Sequence, residues 1–373
     1  MHTTMQTLGR FAVIGGLVLV AALNISMFAG VETMSEAEKT EVYAQIYLMA
    51  LAIPALSIMG VILGIILMRR RVRRLRAQGV GQARIDALFR AAEATRPNWW
   101  ILGGSLAFAA FTLAMGLGQV RFAQEIVFGG SMAIVGFLIY RLLLELDPEI
   151  RGTLVGTALI IFTFRATPLP GPGATWFQIG VLGFDQQFLS VLTLIGSCLA
   201  LAGMVLLRPL MARRSIAYVV ALLTIAAGIL SLPNIGLYYG LHEWTARWTG
   251  GVVDARFIAI VDTALESPLG QVAMIPMLAW IARNAPGHLK ATFFAVMASF
   301  TNLALSASSL LTKYLNQIFV VAREVRDRVT GAVEVAADYS ELGWLLIVAT
   351  LLTVLVPLGV IALVQHSRLR TEQ

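Results

Sequence analysis

Two acidic residues inside an apolar stretch are the chemically most informative feature of the sequence. Asp262 and Glu266 lie four residues apart within residues 255–316, which form two long apolar runs joined by a short basic turn. On a helix that spacing places both carboxylates on one face. An ionisable side chain at the centre of a membrane helix costs about 2.5–3.5 kcal/mol on insertion scales. Such a residue therefore marks a candidate functional site. Because neighbouring carboxylates repel, one of them is suited to take up a proton. The alternatives are a structural ion pair or a position nearer the headgroups.

A single arginine near a helix end is the second candidate. Arg165 lies at the end of an apolar run, just before Pro168. One interpretation is that its side chain snorkels to the lipid headgroups, as long basic side chains do near helix ends. The other is that Arg165 faces a central cavity, where its guanidinium binds an anionic substrate group or pairs with Asp262.

Two neutral polar residues complete the candidate set. Gln271 lies about one and a half turns beyond Glu266, so it need not share the acid face. Asn302 lies in the following apolar run, where small polar residues serve either helix packing or ligand binding. Lys313, near the end of that run, is interpreted as snorkelling outward.

The composition predicts the fold class. Hydrophobic residues make up 58% of the 373 residues and charged residues 13%, the mean hydropathy is +0.79, and soluble domains carry about 25% charged residues. We therefore expect an all-α polytopic membrane protein, since helices satisfy their own backbone groups in lipid. About ten apolar runs are long enough to span a bilayer: residues 9–30, 43–68, 98–118, 124–145, 151–168, 188–208, 215–239, 256–282, 290–318 and 342–365.

The basic residues predict an orientation. The net charge is +7, but the arginines cluster between apolar runs, most densely at residues 69–76, which favours cytoplasmic loops over a nucleic-acid site. Alternating crossings then place both termini in the cytoplasm. The acidic loop 31–41 and the segment 167–187, which lacks Lys and Arg, fall on the opposite side, although residues 323–328 put three arginines there too. We expect a bacterial inner (plasma) membrane location.

Catalytic and metal-binding patterns are not found in the sequence. The single cysteine, Cys198, excludes an internal disulfide, and the four histidines show no metal-ligand spacing. The sequence also contains no G-x-S-x-G, H-E-x-x-H or P-loop motif. We expect neither an enzyme nor a bound cofactor, and an integral membrane enzyme is the least supported alternative.

The residues around the acid pair follow a distinctive order. The pattern consists of Asp262, Pro276, Ala-Arg-x-x-Pro-Gly starting at Ala282, and Ala-Thr-x-x-Ala-x-x-x-Ser-x-x-Asn from Ala291 to Asn302. This order resembles the folate-biopterin transporter family, which belongs to the major facilitator superfamily. The family usually has an acid where this chain has Lys290, so no role is carried over to that position.

The resemblance implies a domain organisation. Residues 149–373 are expected to form the six-helix carboxyl-terminal half of such a transporter, and residues 1–68 resemble the last two helices of its amino-terminal half. Residues 69–97 are predicted to form a basic linker with an interfacial amphipathic helix, or alternatively a solvated linker. Residues 98–148 read as an inserted membrane hairpin at the edge of the bundle. Four amino-terminal helices would then be missing, either in the natural protein or because the reading frame was started at an internal Met.

The expected function follows from this resemblance and from the buried charges. We expect a secondary active transporter for a pterin-like, folate-like or other organic anion, coupled to a proton or cation gradient. Its partners would be that small anion and the membrane lipids, without nucleic acid, and the sequence does not indicate an oligomeric state. A non-transporting membrane scaffold or a truncated transporter fragment is the alternative.

Overall fold

The computed structural model describes residues 2–29, 35–82, 84–85, 99–118, 120–144, 146, 148–207, 214–269, 290–327 and 331–370. Most of these residues are helical, which confirms the predicted all-α class. The chain divides into two compact units. One comprises Met1–Val31 with Gln124–Gln373, and the other comprises Glu32–Ala123.

The described residues of the unit Glu32–Ala123 include the helices α2 (Glu36–Ala50), α3 (Ala52–Ala77) and α4 (Trp99–Leu117). Helix α2 begins with a capping box, because Ser35 and Glu38 each bond the other's backbone N–H group. The basic cluster at residues 69–76 forms the last turns of α3. The predicted amphipathic helix within residues 69–97 falls largely on residues 86–98, outside the described part of the chain.

The larger unit holds the other helices of the described residues. In chain order they are α1 (His2–Met27), α5 (Ala123–Leu144), α6 (Pro148–Arg165), α7 (Pro172–Gly180), α8 (Gln186–Leu206), α9 (Ile216–Leu230), α10 (Leu232–Tyr238), α11 (Leu241–Thr249), α12 (Ala255–Glu266), α13 (Lys290–Ile318) and α14 (Leu342–Gln365). Helix α1 packs along α8, while α14 packs against α6, α9 and α10. Between α13 and α14, two short strands pair antiparallel, β1 (Val325–Arg326) and β2 (Val333–Val335).

The predicted number of ten membrane crossings is not confirmed. Within the described residues, six helical stretches are long and apolar enough to cross a membrane: Glu38–Ala77, Ala123–Leu144, Gln186–Leu206, Ile216–Tyr238, Ala295–Ile318 and Leu342–Gln365. The predicted run 256–282 illustrates the difference. Its helix α12 ends at Glu266 and passes into a 3₁₀ turn, Ser267–Leu269, because Pro268 has no N–H to continue the helical bonding. Residues 270–289 lie outside the described residues.

Polar contacts fix the start of α12, the helix that carries the acid pair. Asp254 caps this helix by accepting a hydrogen bond from the N–H of Phe257 at 2.8 Å. Asp185 caps α8, since its Oδ1 accepts a hydrogen bond from the N–H of Phe188. Its Oδ2 forms an ion pair with the Arg256 guanidinium at 3.0 Å. The amino ends of α8 and α12 are thereby joined, with an apolar cluster between them and α10 that includes Phe184, Phe188, Leu237, Ala255, Ile258 and Ala259.

Helix α14 contains an internal proline. Pro357 is buried within this helix and has no N–H to donate to the carbonyl of Thr353, four residues earlier. The α14 ladder therefore lacks one hydrogen bond, about two-thirds of the way along the helix.

The contact between α8 and the turn after α12 generates a stability prediction. A Cβ atom on Gly203 would lie 2.5 Å from Cα of Pro268 and 2.8 Å from its carbonyl carbon, closer than packed atoms tolerate. We expect Gly203→Ala to lower the free energy of unfolding by about 1–3 kcal/mol, as overpacking does. The measurement is the thermal unfolding midpoint in detergent.

Gly136→Ala on α5 is the matched control, because no atom lies within 4 Å of its would-be Cβ. A helical Gly→Ala change without a clash is neutral or stabilising by up to about 1 kcal/mol. Equal midpoints for the two variants would contradict the close packing of α8 on Pro268.

Candidate functional site

A buried carboxylate lies at the centre of the candidate site. Asp262 is 7% exposed, and its Oδ2 accepts a 2.7 Å hydrogen bond from Nδ2 of Asn234. Oδ1 is also buried, and no donor among the described residues reaches it. A buried carboxylate is costly unless its oxygens are bonded, so the second oxygen is available to a proton, a cation or a ligand.

The sequence brings Asn234 to Asp262 by interrupting a helix. Helix α9 ends at Leu230 and α10 starts at Leu232, with Pro233 in its first turn, a position that tolerates the missing N–H. The hydroxyl of Ser231 closes the end of α9 by donating to the carbonyl of Gly228 at 2.8 Å. The resulting short helix α10 packs against α12 and presents Asn234 to it.

A cavity of about 290 Å³ lies beside this pair. This volume is close to the lower end of the range of about 300–1,000 Å³ found for small-molecule sites. Its walls come from residues 168–170, α7, α9, α10, α14 and the end of α12. Most lining side chains are apolar, and the polar ones are Gln178, Ser231, Asn234, Glu266, Thr350 and Thr353. An apolar pocket with a few polar groups suits a small organic molecule, which the polar groups orient.

The two predicted acids occupy different positions at this cavity. Glu266 lines it directly, one turn after Asp262 on α12. Asp262 lies behind Asn234, whose side chain lines the cavity and donates to the Asp262 carboxylate. The amide of Asn234 therefore connects the cavity with the buried acid.

The other three predicted residues do not join them. Arg165 lies in the last turn of α6 and is half-buried, but it is not among the described residues that line the cavity. Asn302 is exposed on α13 and does not line the cavity either. Gln271 falls outside the described residues.

Sequence analysis missed Asn234, the residue that holds Asp262. The available signal was the group Ser231, Pro233 and Asn234 within the apolar run 215–239. A proline flanked by polar residues in a membrane segment indicates a broken helix, and broken helices build binding sites in transporters.

A second charged cluster corrects the interpretation of Lys313. Its Nζ pairs with Oε1 of Glu125 on α5 at 2.8 Å, and the hydroxyl of Tyr314 donates to the same oxygen at 2.6 Å. Lys313 therefore has an acidic partner on another helix and does not simply snorkel outward. Charge-assisted bonds of this kind join α5 to α13. Neither Lys313 nor Glu125 is among the described residues that line the cavity.

The fold and the cavity define a class of protein. A helical membrane bundle with a cavity beside two carboxylates, one of them buried, is typical of membrane transporters. A model of the BT1 family matches residues 127–373, and the chain belongs to this family. This match confirms the family resemblance and supports a membrane transporter.

A curated relative is similar over part of its length. A protein of Synechocystis sp. named folate-biopterin transporter is 28% identical over 169 residues, which are 44% of this chain and 33% of that protein. The match thus spans about a third of the relative's length.

The Asn234–Asp262 contact generates a prediction that a double-mutant cycle tests. We expect Asn234→Ala to lower the free energy of unfolding by about 1–3 kcal/mol, because it leaves a buried carboxylate without its donor. In the Asp262→Ala background the same change should cost much less, since no carboxylate remains to be satisfied. Thermal or denaturant unfolding in detergent would give the free energy of unfolding of all four proteins in the cycle. Strictly additive losses would show that the two side chains do not interact.

Proposed function

We propose that this membrane protein is a secondary active transporter, or the carboxyl-terminal part of one, for an organic anion of pterin or folate type. Its transport is coupled to the uptake of a proton or another cation. The observation that carries the proposal is the position of Glu266 in the cavity wall, beside an Asn234 amide that bonds the buried Asp262. The substrate class comes from the family and from the name of the matched Synechocystis protein.

The charges of the site supply a physical reason for coupling. The acids at this cavity, Glu266 and Asp262, repel an anionic substrate when both are ionised. In a site of low dielectric that repulsion is strong, because water screens it poorly. A proton on Glu266, or a cation between the carboxylates, removes the repulsion. Substrate and cation then bind best together, and the gradient of one drives the other.

Arg165 has a separate role in the proposal. It lies three residues before Pro168, which lines the cavity. When the carboxyl-terminal end of α6 rearranges, the Arg165 guanidinium can donate two parallel hydrogen bonds to a carboxylate of the substrate. The planar fork of arginine suits that contact, and the ammonium of lysine does not.

Uptake into vesicles is the direct test of function. Purified protein in liposomes would be supplied with labelled folates, pterins and unrelated organic anions, with and without an imposed proton or sodium gradient. Gradient-dependent uptake of one class supports the proposal. Folded protein that moves none of them would favour the alternative of a non-transporting scaffold or a fragment.

Substitution of Glu266, the acid at the cavity wall, tests the coupling mechanism most directly. We expect Glu266→Gln to abolish gradient-driven uptake, because an amide cannot carry the coupled proton, while substrate exchange across the membrane persists. The comparison of uptake with exchange in the same vesicles measures this. Glu243→Gln, an exposed acid on α11, is the control and should behave as the wild type. Equal uptake by both variants would remove Glu266 from the coupling mechanism.

The arginine is tested by affinity. Arg165→Lys should raise the substrate concentration needed for half-maximal uptake by about tenfold, as loss of a bidentate contact predicts. Arg247→Lys, an exposed position on α11, should leave it unchanged. An unchanged affinity in Arg165→Lys would leave this residue as a headgroup anchor.

The proposed orientation places both termini in the cytoplasm of a bacterium, with the protein in the inner membrane. Single cysteines at Glu36, Thr175 and Arg73, each in a Cys198→Ser background, would be exposed to an impermeant thiol reagent on intact cells. We expect labelling at positions 36 and 175 and protection at position 73, because the arginine-rich segments remain inside. Labelling at position 73 would contradict this orientation.

A further inference from the structure

A short proline-rich segment forms part of the wall of the candidate cavity. Residues 167–171, with the sequence Thr-Pro-Leu-Pro-Gly, connect α6 to α7 outside regular secondary structure. We call this segment the strap. Pro168, Leu169 and Pro170 line the cavity, so the strap forms part of its wall.

Three side chains on α13 bind the strap in sequence. The hydroxyl of Ser308 donates to the carbonyl of residue 167 at 2.6 Å. The hydroxyl oxygen of Thr312 accepts from the N–H of Leu169 at 2.9 Å. The amide of Asn316 donates to the carbonyl of Pro170 at 3.2 Å, and also to its own helix at the carbonyl of Thr312 at 2.9 Å.

The spacing of these contacts matches two different backbone geometries. Four residues of a helix rise about 6 Å. Prolines fix their own φ and push the preceding residue out of the helical region, so the strap is confined to an extended backbone. Such a chain rises about 3.1 Å per residue, or about 6.2 Å per two residues. The step from Ser308 to Thr312 thus matches the two residues from Thr167 to Leu169, whereas Asn316, four residues further on α13, meets the next strap residue, Pro170.

The last residue of the strap fits closely against Asn316. Gly171 has φ of +76°, a backbone conformation that favours glycine. A Cβ at this position would lie 2.8 Å from Nδ2 of Asn316. Both the backbone conformation and the closeness of Asn316 therefore favour glycine at this position.

Two cavities border the strap. A second cavity, of about 460 Å³ and mostly apolar, is lined by Pro168 together with residues of α6, α13 and α14. Pro168 lines both cavities. Displacement of the strap is opposed by the row of hydrogen bonds to α13 and by the packing of Pro168, which is buried.

We propose that Ser308, Thr312 and Asn316 are positioning residues that hold the strap across one end of the cavity and so control access to it. In the described part of the chain α13 contributes no lining side chain to this cavity. It meets the cavity wall through its hydrogen bonds to the strap and through Leu315, which packs against α14. Opening this end requires the three contacts to break, either by movement of the strap or by movement of α13 away from it. The consequence for transport rests on the proposed function, whereas the closure itself does not.

Access can be measured without any substrate. The reporter is Thr350→Cys, on the α14 wall of the cavity, in a Cys198→Ser background that removes the only native thiol. The rate of reaction with a small maleimide, in detergent-solubilised protein, reports how often the cavity is open. One hydrogen bond corresponds to a factor of about two to twelve in an equilibrium constant. We expect Thr312→Val to raise the labelling rate by about that factor, and Ser308→Ala with Thr312→Val to raise it further.

Matched controls exist on the same helix. The hydroxyls of Ser299 and Thr301 donate only within α13, to the carbonyls of Ala295 and Ala298. Ser299→Ala and Thr301→Val should therefore leave the labelling rate unchanged. Thr312→Ser keeps the accepting oxygen and should restore the wild-type rate, which a change in packing alone would not do.

The outcomes separate this proposal from the proposed function. An unchanged labelling rate in the double variant, with a wild-type unfolding midpoint, would overturn the role of the strap. Equal increases in the control variants would do the same. Faster labelling in a protein that moves no tested anion would support the strap while counting against the proposed transport. Faster labelling together with faster substrate exchange would support both.

Discussion

The candidate site depends on one requirement: a carboxylate removed from water must keep hydrogen-bond partners. Asp262 meets this requirement at Oδ2 through the amide of Asn234, which lies 28 residues earlier in the chain. The helix break at Pro233 places Asn234 on the short helix α10, and the cap at Asp254 with the Arg256–Asp185 pair fixes α12. Loss of either arrangement would leave an unsatisfied buried charge, so both ends of the contact constrain the bundle.

Two acids one helical turn apart receive different environments. Asp262 is buried, and a side-chain amide separates it from the cavity. Glu266 is exposed at the cavity wall, next to the point where Pro268 ends the regular hydrogen bonding of α12. The first is suited to hold a fixed hydrogen bond and the second to respond to whatever enters the cavity. Helical periodicity places both acids on one face of α12. Their environments differ because Asn234 on the neighbouring helix α10 bonds Asp262.

Sequence reasoning succeeded where the information was local. The predicted run 290–318 coincides with α13, and the run 342–365 coincides with α14, because bilayer thickness and polar loop residues set both ends of such helices. It failed where the partner was distant. Asn234 bonds Asp262, and Lys313 bonds Glu125 across 188 residues, and no period or spacing encodes either pair. The strands β1 and β2 were also missed, because their pairing is set by the loop between α13 and α14 and not by alternating apolar residues.

Residues at the cavity wall are therefore easier to predict than the contacts that hold the wall in place. Arg165 and Asn302 were singled out by residue type, yet neither lines the cavity among the described residues. Proline was the more useful guide, since Pro168, Pro233 and Pro268 each mark a place where a helix stops near the cavity. In a medium without water, an interrupted backbone must find other partners, and those partners build the site.

The internal proline of α14 has a mechanical consequence. Thr353 lines the cavity, and its carbonyl has no N–H to meet at Pro357, one turn further on. Bending a regular helix stretches and finally breaks a backbone hydrogen bond on its convex side. At this turn of α14 that bond is already absent, so the helix can flex beside the cavity without losing a bond. A change in the angle between the part of α14 that faces the cavity and the part that follows Pro357 therefore costs fewer backbone hydrogen bonds than the same change in a regular helix.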